Sequence, residues 1–197
     1  MKYVFSLVLL FSVSALGKIQ LFLPGLQMRF QDTLNQKREM VFYHNYSVNY
    51  TVQSYLVSLE YNRLSEASGN SSLNVESQID ELLMIGGYRV YTWIVDRSAA
   101  KIFENKYTEQ KINIDDYTHF DFYLHTVYGK SQTRVRTYLL GTSSTQKTDW
   151  DDVMGLGAAV QLKIGYFVAS LSSHYLQSKG FSPNFVPATT LKIGLEF

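Results

Sequence analysis

The sequence predicts an all-β fold: an antiparallel up-and-down transmembrane β-barrel of eight strands, with a ten-stranded version as the alternative. Three observations carry this. Apolar residues recur at every second position over several stretches, a leader of secretory type precedes them, and no later apolar run reaches the ~20 residues that a membrane helix needs. The chain of 197 residues is 46% apolar and 18% charged, with 15 Tyr and 12 Phe. That is too apolar and too weakly charged for a disordered chain. A net charge of +1 lacks the basic excess of a dedicated nucleic-acid binder, so no nucleic acid is expected as a partner. The absence of cysteine excludes a disulfide framework, a thiol nucleophile, a thiolate metal site and a lipid anchor on an N-terminal Cys.

Met1-Lys2 gives a short positive start, and Tyr3 to Leu16 is apolar apart from Ser6, Ser12 and Ser14. Ala15 and Gly17 place small residues at the −3 and −1 positions of a cleavage site, so residues 1–17 read as a signal peptide. The run of about 14 residues is short of a bilayer span. Residues 18–45 hold Ile19, Leu21, Leu23, Met28 and Phe30 around Pro24-Gly25, and stay open between a periplasmic lead-in, a lumen plug and an extra strand. The barrel proper is expected over 46–197.

Within it the period-two count gives strands near 46–62, 82–95, 100–108, 117–128, 132–140, 153–163, 166–176 and 189–197. Tyr55, Val57, Leu59 and Tyr61 share one face of the first; Leu82, Met84, Tyr88, Val90 and Ile94 share one face of the second, opposite Arg89. Phe120, Phe122, Leu124 and Tyr128 oppose His119, Asp121 and His125. From Met40 to Tyr61 the apolar phase changes from even to odd, which requires a bulge or a tight turn near Gln53-Ser54. Connections at 96–99, 129–131 and 164–165 are short; those at 63–81, 109–116, 141–152 and 177–188 are longer and polar. Such alternation of short turns and long loops is a membrane-barrel property. Tyr88, Tyr91, Trp93, Tyr107, Tyr117, Tyr128, Tyr138, Trp150, Tyr166 and Tyr175 fall mostly near strand ends, as interfacial girdles do.

The clearest strand carries Met154, Leu156, Ala158, Val160, Leu162 and Ile164 on one face, with Gly155, Gly157, Ala159, Gln161 and Lys163 on the other. The last repeats the pattern, with Leu191, Ile193, Leu195 and Phe197 opposite Lys192, Gly194 and Glu196. From Trp150 to Phe197 the chain resembles the small bacterial outer-membrane barrels of the OmpA transmembrane-domain and OmpX type. The resemblance implies that Leu191, Ile193, Leu195 and Phe197 form an assembly signal read by the barrel-assembly machinery. It also implies a bacterial outer membrane as the location, reached by export, with outer-membrane lipid as a partner.

An eight-stranded barrel is just wide enough for side chains to fill it. Glu60, Arg89, Asp121, Arg134, Arg136, Lys163, Lys192 and Glu196 are the candidates for a polar lumen network. Both signs are present, as buried charges require. Arg134 and Arg136 lie two apart and share a face, which would bias a pore toward anions. His119 and Asp121 also share a face, yet two residues of one strand make too few ligands, and no metal and no cofactor is expected. Outer-membrane lipid A deacylases carry a His-x-Ser pair near the last loop, and His174-Tyr175-Leu176 has Leu176 at the nucleophile position. Ser172 or Ser178 would have to substitute, so no catalytic residue is assigned and the protein is not expected to be an enzyme. Asn45, Asn49 and Asn70 head glycosylation sequons, which carry weight only in a eukaryotic secreted protein.

The expected role is structural or interactive, a stable anchor presenting loops 63–81 and 141–152 to an extracellular ligand. A small-solute channel, a lipid A-modifying enzyme and a soluble secreted β-sandwich are the alternatives.

Overall fold

A computed structural model of the chain describes residues 17–32, 38–69, 73–95, 117–139, 141–179 and 185–197. Alternating apolar and polar residues suit a pleated strand, whose side chains point to opposite faces in turn. Among the described residues ten strands result: β1 (Lys18–Phe22), β2 (Gly25–Asp32), β3 (Arg38–Val52), β4 (Tyr55–Gly69), β5 (Leu73–Ile94), β6 (His119–Leu139), β7 (Thr142–Lys147), β8 (Asp151–Ile164), β9 (Phe167–Ser178) and β10 (Phe185–Glu196). Every pairing is antiparallel.

Nine of the ten strands make eight staves, and β7 stands outside the ring. β1 and β2 are one stave interrupted at Leu23-Pro24, since each lies between β10 and β3. Proline has no N–H to give to a ladder, which is why the break falls there. From this stave the ladder runs through β3, β4, β5, β6, β8, β9 and β10 and returns to its start, so the ring closes. β1 and the end of β10 meet at the seam: Ile19 N–H donates to the Phe197 carbonyl at 3.0 Å, and Phe197 N–H to the Ile19 carbonyl at 2.8 Å.

A tight turn at Gln53-Ser54 joins β3 to β4, with Gln53 at φ 52°. A two-residue turn between strands accounts for the change of phase: even residues face out on β3 and odd residues face out on β4. The turn is pinned from β5, where Arg89 N–H donates to the Ser54 carbonyl (2.7 Å) and the Arg89 guanidinium to the Gln53 carbonyl (3.0 Å). A register shift between Arg89 and Tyr91 marks a β-bulge at the same level.

At the opposite end the sheet continues past the ring. β3 pairs with β4 only as far as His44↔Arg63, whereas β4 and β5 stay paired to Gly69↔Asn74. β6 leaves β8 after Ser131↔Asp151 and pairs instead with β7. The upper parts of β4, β5 and β6 together with β7 form a four-stranded flap. Leu64–Gly69, paired only with β5, and Thr142–Lys147, paired only with β6, are its two outer edges, with no second ladder partner among the described residues.

Several expectations change. Residues 46–62 are two strands and a turn rather than one strand, and His119–Leu139 is one strand where two were expected. Gly129-Lys130-Ser131 is no turn: a Cβ on Gly129 would sit 2.7 Å from Leu83 Cδ2, so glycine there serves close packing across β5. Segment 63–81 is mostly strand, and so are residues 142–147 within the second expected loop. Residues 18–45 include strand in the barrel wall, which therefore begins at Lys18 and not at 46. The connection between β5 and β6 leaves from the end that holds the short turns, which breaks the expected alternation. The expected strand at 100–108, residues 1–16 of the expected signal peptide (1–17) and Asn70 lie outside the described residues.

Candidate functional site

Inside the ring the polar residues form layers. Nearest the turns, Glu196 accepts from Lys163 (2.9 Å), Lys18 (3.1 Å) and the Gln20 amide (2.7 Å). Asp121 is fully buried and faces Arg89 (3.3 Å), Lys163 (3.4 Å) and His119 (3.6 Å), while the Thr92 hydroxyl donates to it at 2.6 Å. Midway, Lys192 Nζ lies 2.6 Å from Glu60, whose other oxygen accepts from the Asn45 amide at 3.0 Å. Asn45 also donates to Asn62 at 2.6 Å. Higher still, the Arg29 guanidinium makes a two-pronged ion pair with Glu81, donates to Gln27 at 2.7 Å and lies 4.2 Å from the centre of the Tyr43 ring. Both members of the Arg29–Glu81 pair are completely buried. Each buried carboxylate meets a cation, as burial of charge demands.

A histidine pair sits among these layers. His125 of β6 and His174 of β9 are both register partners of Gly157 on the strand between them. With no side chain at Gly157 the rings meet, His125 Nε2 lying 2.7 Å from His174 Nδ1; a Cβ on Gly157 would come within 2.5 Å of His125 Nε2. Ser172 Oγ is 3.4 Å from His174 Nε2. Apolar groups fill the space between layers: Leu83, Ile85, Val127, Val153, Leu176, Val186 and Ala188 form one cluster, and Leu56, Tyr123 and Ala159 another. The void beside Glu60, His125, His174 and Lys192 measures about 10 Å³, room for about one water molecule. Among the described residues, the lumen at this level is packed.

Of the sequence-predicted residues, Glu60, Asp121, Lys163, Lys192 and Glu196 lie inside the ring and are ion-paired there. Arg89 lies at the turn end with its side chain partly exposed. Arg134 and Arg136 correct the expectation. They stand on β6 above the ring, at the parity of outward-facing Phe120, Phe122, Leu124 and Tyr128, so they do not line the lumen. Leu191, Ile193, Leu195 and Phe197 all face outward. Asn45 and Asn49, the first two sequon positions, are buried inside. Sequence reasoning missed Arg29, Glu81, Gln20 and Asn62. Arg29 lies where no strand was assigned, and Glu81 was counted as loop. The inward parity of β4 (Ser58, Glu60, Asn62) was the available signal for Asn62.

The outer face is the reverse of the inner one. Leu82, Met84, Leu124, Leu156, Leu171 and Leu191 are each half-exposed or more, as are the aromatics Tyr55, Tyr88, Tyr128 and Tyr175. From Leu82 to Trp93 on β5 is roughly 36 Å of strand at ~3.3 Å per residue, or about 28 Å of height at a ~40° tilt, against an apolar band of ~25 Å in membrane barrels. Aromatic contacts lie toward both ends: Tyr55 with Tyr88 (5.5 Å), Tyr91 with Phe122 (5.9 Å) and Trp93 with Phe120 (5.6 Å) at the turn end, and Tyr46 with Tyr61 (6.2 Å) and Tyr175 with Phe185 (5.7 Å) at the other. A soluble sandwich would bury this face and expose the other.

A closed antiparallel ring, polar and packed within and apolar without, defines the class of small transmembrane β-barrels. Solved structures of that class are similar to this chain. The attachment invasion locus protein Ail of Yersinia pestis matches with a TM-score of 0.56 at 13% identity, over 92% of this chain and 99% of its own. Ail in complex with the heparin analogue sucrose octasulfate matches with the same TM-score at 12% identity, over the same shares of the two chains. Neisserial surface protein A matches with a TM-score of 0.52 at 12% identity, over 91% and 95% of the two chains. At these identities the likeness is one of fold. No family model and no curated protein matches the sequence.

Proposed function

We propose that the chain is an integral outer-membrane barrel whose work is surface interaction, with the ring as anchor and the flap as contact surface. One observation carries the reading: the ring pairs its own strands and its own charges, while the flap ends in two strand edges with no partner on their outer sides among the described residues. Unpaired edges are templates for added strands, and soluble proteins usually protect them. β7 reads Thr-Ser-Ser-Thr-Gln-Lys, fully exposed, with no proline and one charge. The crystallisation of Ail with a heparin analogue supports a ligand-binding role for this fold. Ile19 of β1 and Phe197 after β10 lie on the turn side, which we assign to the periplasm, with the flap outside. On this reading residues 1–17 are a removed signal peptide, and Leu191, Ile193, Leu195 and Phe197 form the assembly signal.

A conducting pore is disfavoured by the filled lumen. A lipid-cleaving role is disfavoured because Ser172 and His174 are buried inside the ring, away from the face an acyl ester would reach. Because the chain has no cysteine, single Ser144→Cys and Gln53→Cys variants test the orientation directly. A membrane-impermeant maleimide should label the Ser144 variant on intact cells and the Gln53 variant only after permeabilisation. The reverse pattern would refute the reading.

A further inference from the structure

Above the apolar band the outward parity of β6 turns cationic: Lys130, then Arg134, then Arg136. Lys130 is paired with Asp152 at 3.0 Å, and Arg136 donates to the Tyr138 hydroxyl at 2.9 Å. Arg134 is different. Its cross-strand neighbours are Gln78 on β5 and Lys147 on β7, so a second cation stands directly opposite it. Like charges in that position destabilise a sheet. The Gln78 amide is turned to Asp80, and Asp80 is already held by Arg63 and Tyr61. Glu76 faces Arg136. The Arg134 Nε is shielded from solvent and has no hydrogen-bond partner. Two adjoining cations with an unmet donor are half of an anion site.

Directly below on the same face lies an apolar groove of about 530 Å³, walled by Leu59, Leu82, Met84, Tyr128 and Trp150, with Lys130 at its lip. A second groove, of about 620 Å³, lies lower on the same strands, between Tyr55, Tyr88 and Leu156. Trp150 at the lip is the residue expected at a membrane interface. A greasy groove running into a cationic patch matches one kind of molecule, a phosphate on a hydrocarbon tail.

We propose that the outward face of β4–β5–β6–β8 binds an anionic lipid of the surrounding leaflet, its chain in the groove and its phosphate at Arg134 and Lys147. This rests on the barrel reading and adds a specific ligand to it. Charge complementarity selects a lipid with net negative charge over a zwitterionic one, and the groove selects a lipid over a free anion.

The test uses the full chain refolded in dodecyl maltoside, with native mass spectrometry counting bound lipid. Dimyristoylphosphatidylglycerol should bind at least tenfold more tightly than dimyristoylphosphatidylcholine. The double variant Arg134→Gln, Lys147→Gln should lose that preference, while Lys179→Gln, a charge removed elsewhere, should keep it. Met84→Ala, which trims the groove wall, should weaken both lipids together. Equal binding of the two lipids, or an Arg134/Lys147 variant that keeps its preference, overturns the proposal. So does tight binding of inorganic phosphate or sucrose octasulfate with no preference between the lipids, which would make the patch a site for soluble anions. A sample whose electrophoretic mobility is unaffected by boiling would instead overturn the barrel reading itself.

Discussion

The ring and the flap are built from the same strands, β4, β5 and β6, yet they obey different rules. Within the ring these strands separate polar from apolar by parity: Ser58, Glu60 and Asn62 inward, Tyr55, Val57 and Leu59 outward. Past Arg63, Asp80 and Ser131 the separation fades, and both faces of the flap carry polar residues. The contrast teaches where the solvent changes. Parity is strict where one face meets hydrocarbon and the other a closed interior, and it relaxes above the hydrocarbon, where polar residues suit either face. Stability should therefore reside in the ring, and substitutions should hurt in proportion to how deeply they break its parity.

The largest break is inside. Glu81→Ala strands the buried Arg29 guanidinium, and should cost about 3–5 kcal/mol in urea unfolding from phospholipid vesicles. The paired change Arg29→Met, Glu81→Leu should recover most of that, because the uncompensated charge is gone. Next comes the outer face. Leu156→Arg puts a charge on the lipid side and should cost about 2–4 kcal/mol, whereas Ser144→Arg on the flap should stay within about 0.5 kcal/mol of the parent in the same assay. Equal effects at 144 and 156 would erase the distinction between flap and ring.

A third change sharpens the comparison within the lumen. Gly157→Ala drives a Cβ against both the Ser173 carbonyl oxygen and the His125 ring and should cost about 1–3 kcal/mol; in the His125→Ala background only the part due to the ring should be relieved, leaving the clash with the backbone. The smallest expected effect is at the turn. Gln53 holds φ 52°, a region costly to residues with a Cβ, so Gln53→Gly should shift stability by no more than about 1 kcal/mol.

The sequence made the ring's faces legible, because period two survives wherever hydrocarbon and a closed lumen lie on opposite sides of a strand. Leu191 to Phe197 and Met154 to Ile164 were readable residue by residue for that reason. The flap was not. Asn62 to Ser68 and Asn74 to Glu81 are polar on both faces and have the composition of loops, although ladder hydrogen bonds hold them extended. Gly129 reads as a turn in sequence and acts as clearance for Leu83 in the fold. The lumen network was half visible. Charges at inward parity on recognised strands could be found, as with Lys163, Lys192 and Glu196. Arg29 and Glu81 could not, since their strands were not recognised. Arg134 and Arg136 misled because parity alone does not say at what height a strand leaves the barrel.

The central claim is a closed barrel, polar within and lipid-facing without. Electrophoresis of the refolded protein in detergent, boiled against unboiled, tests it most directly. The account predicts a mobility shift on boiling, together with a β-type circular dichroism spectrum and a requirement for detergent. A protein that stays soluble without detergent and migrates identically before and after boiling would contradict it.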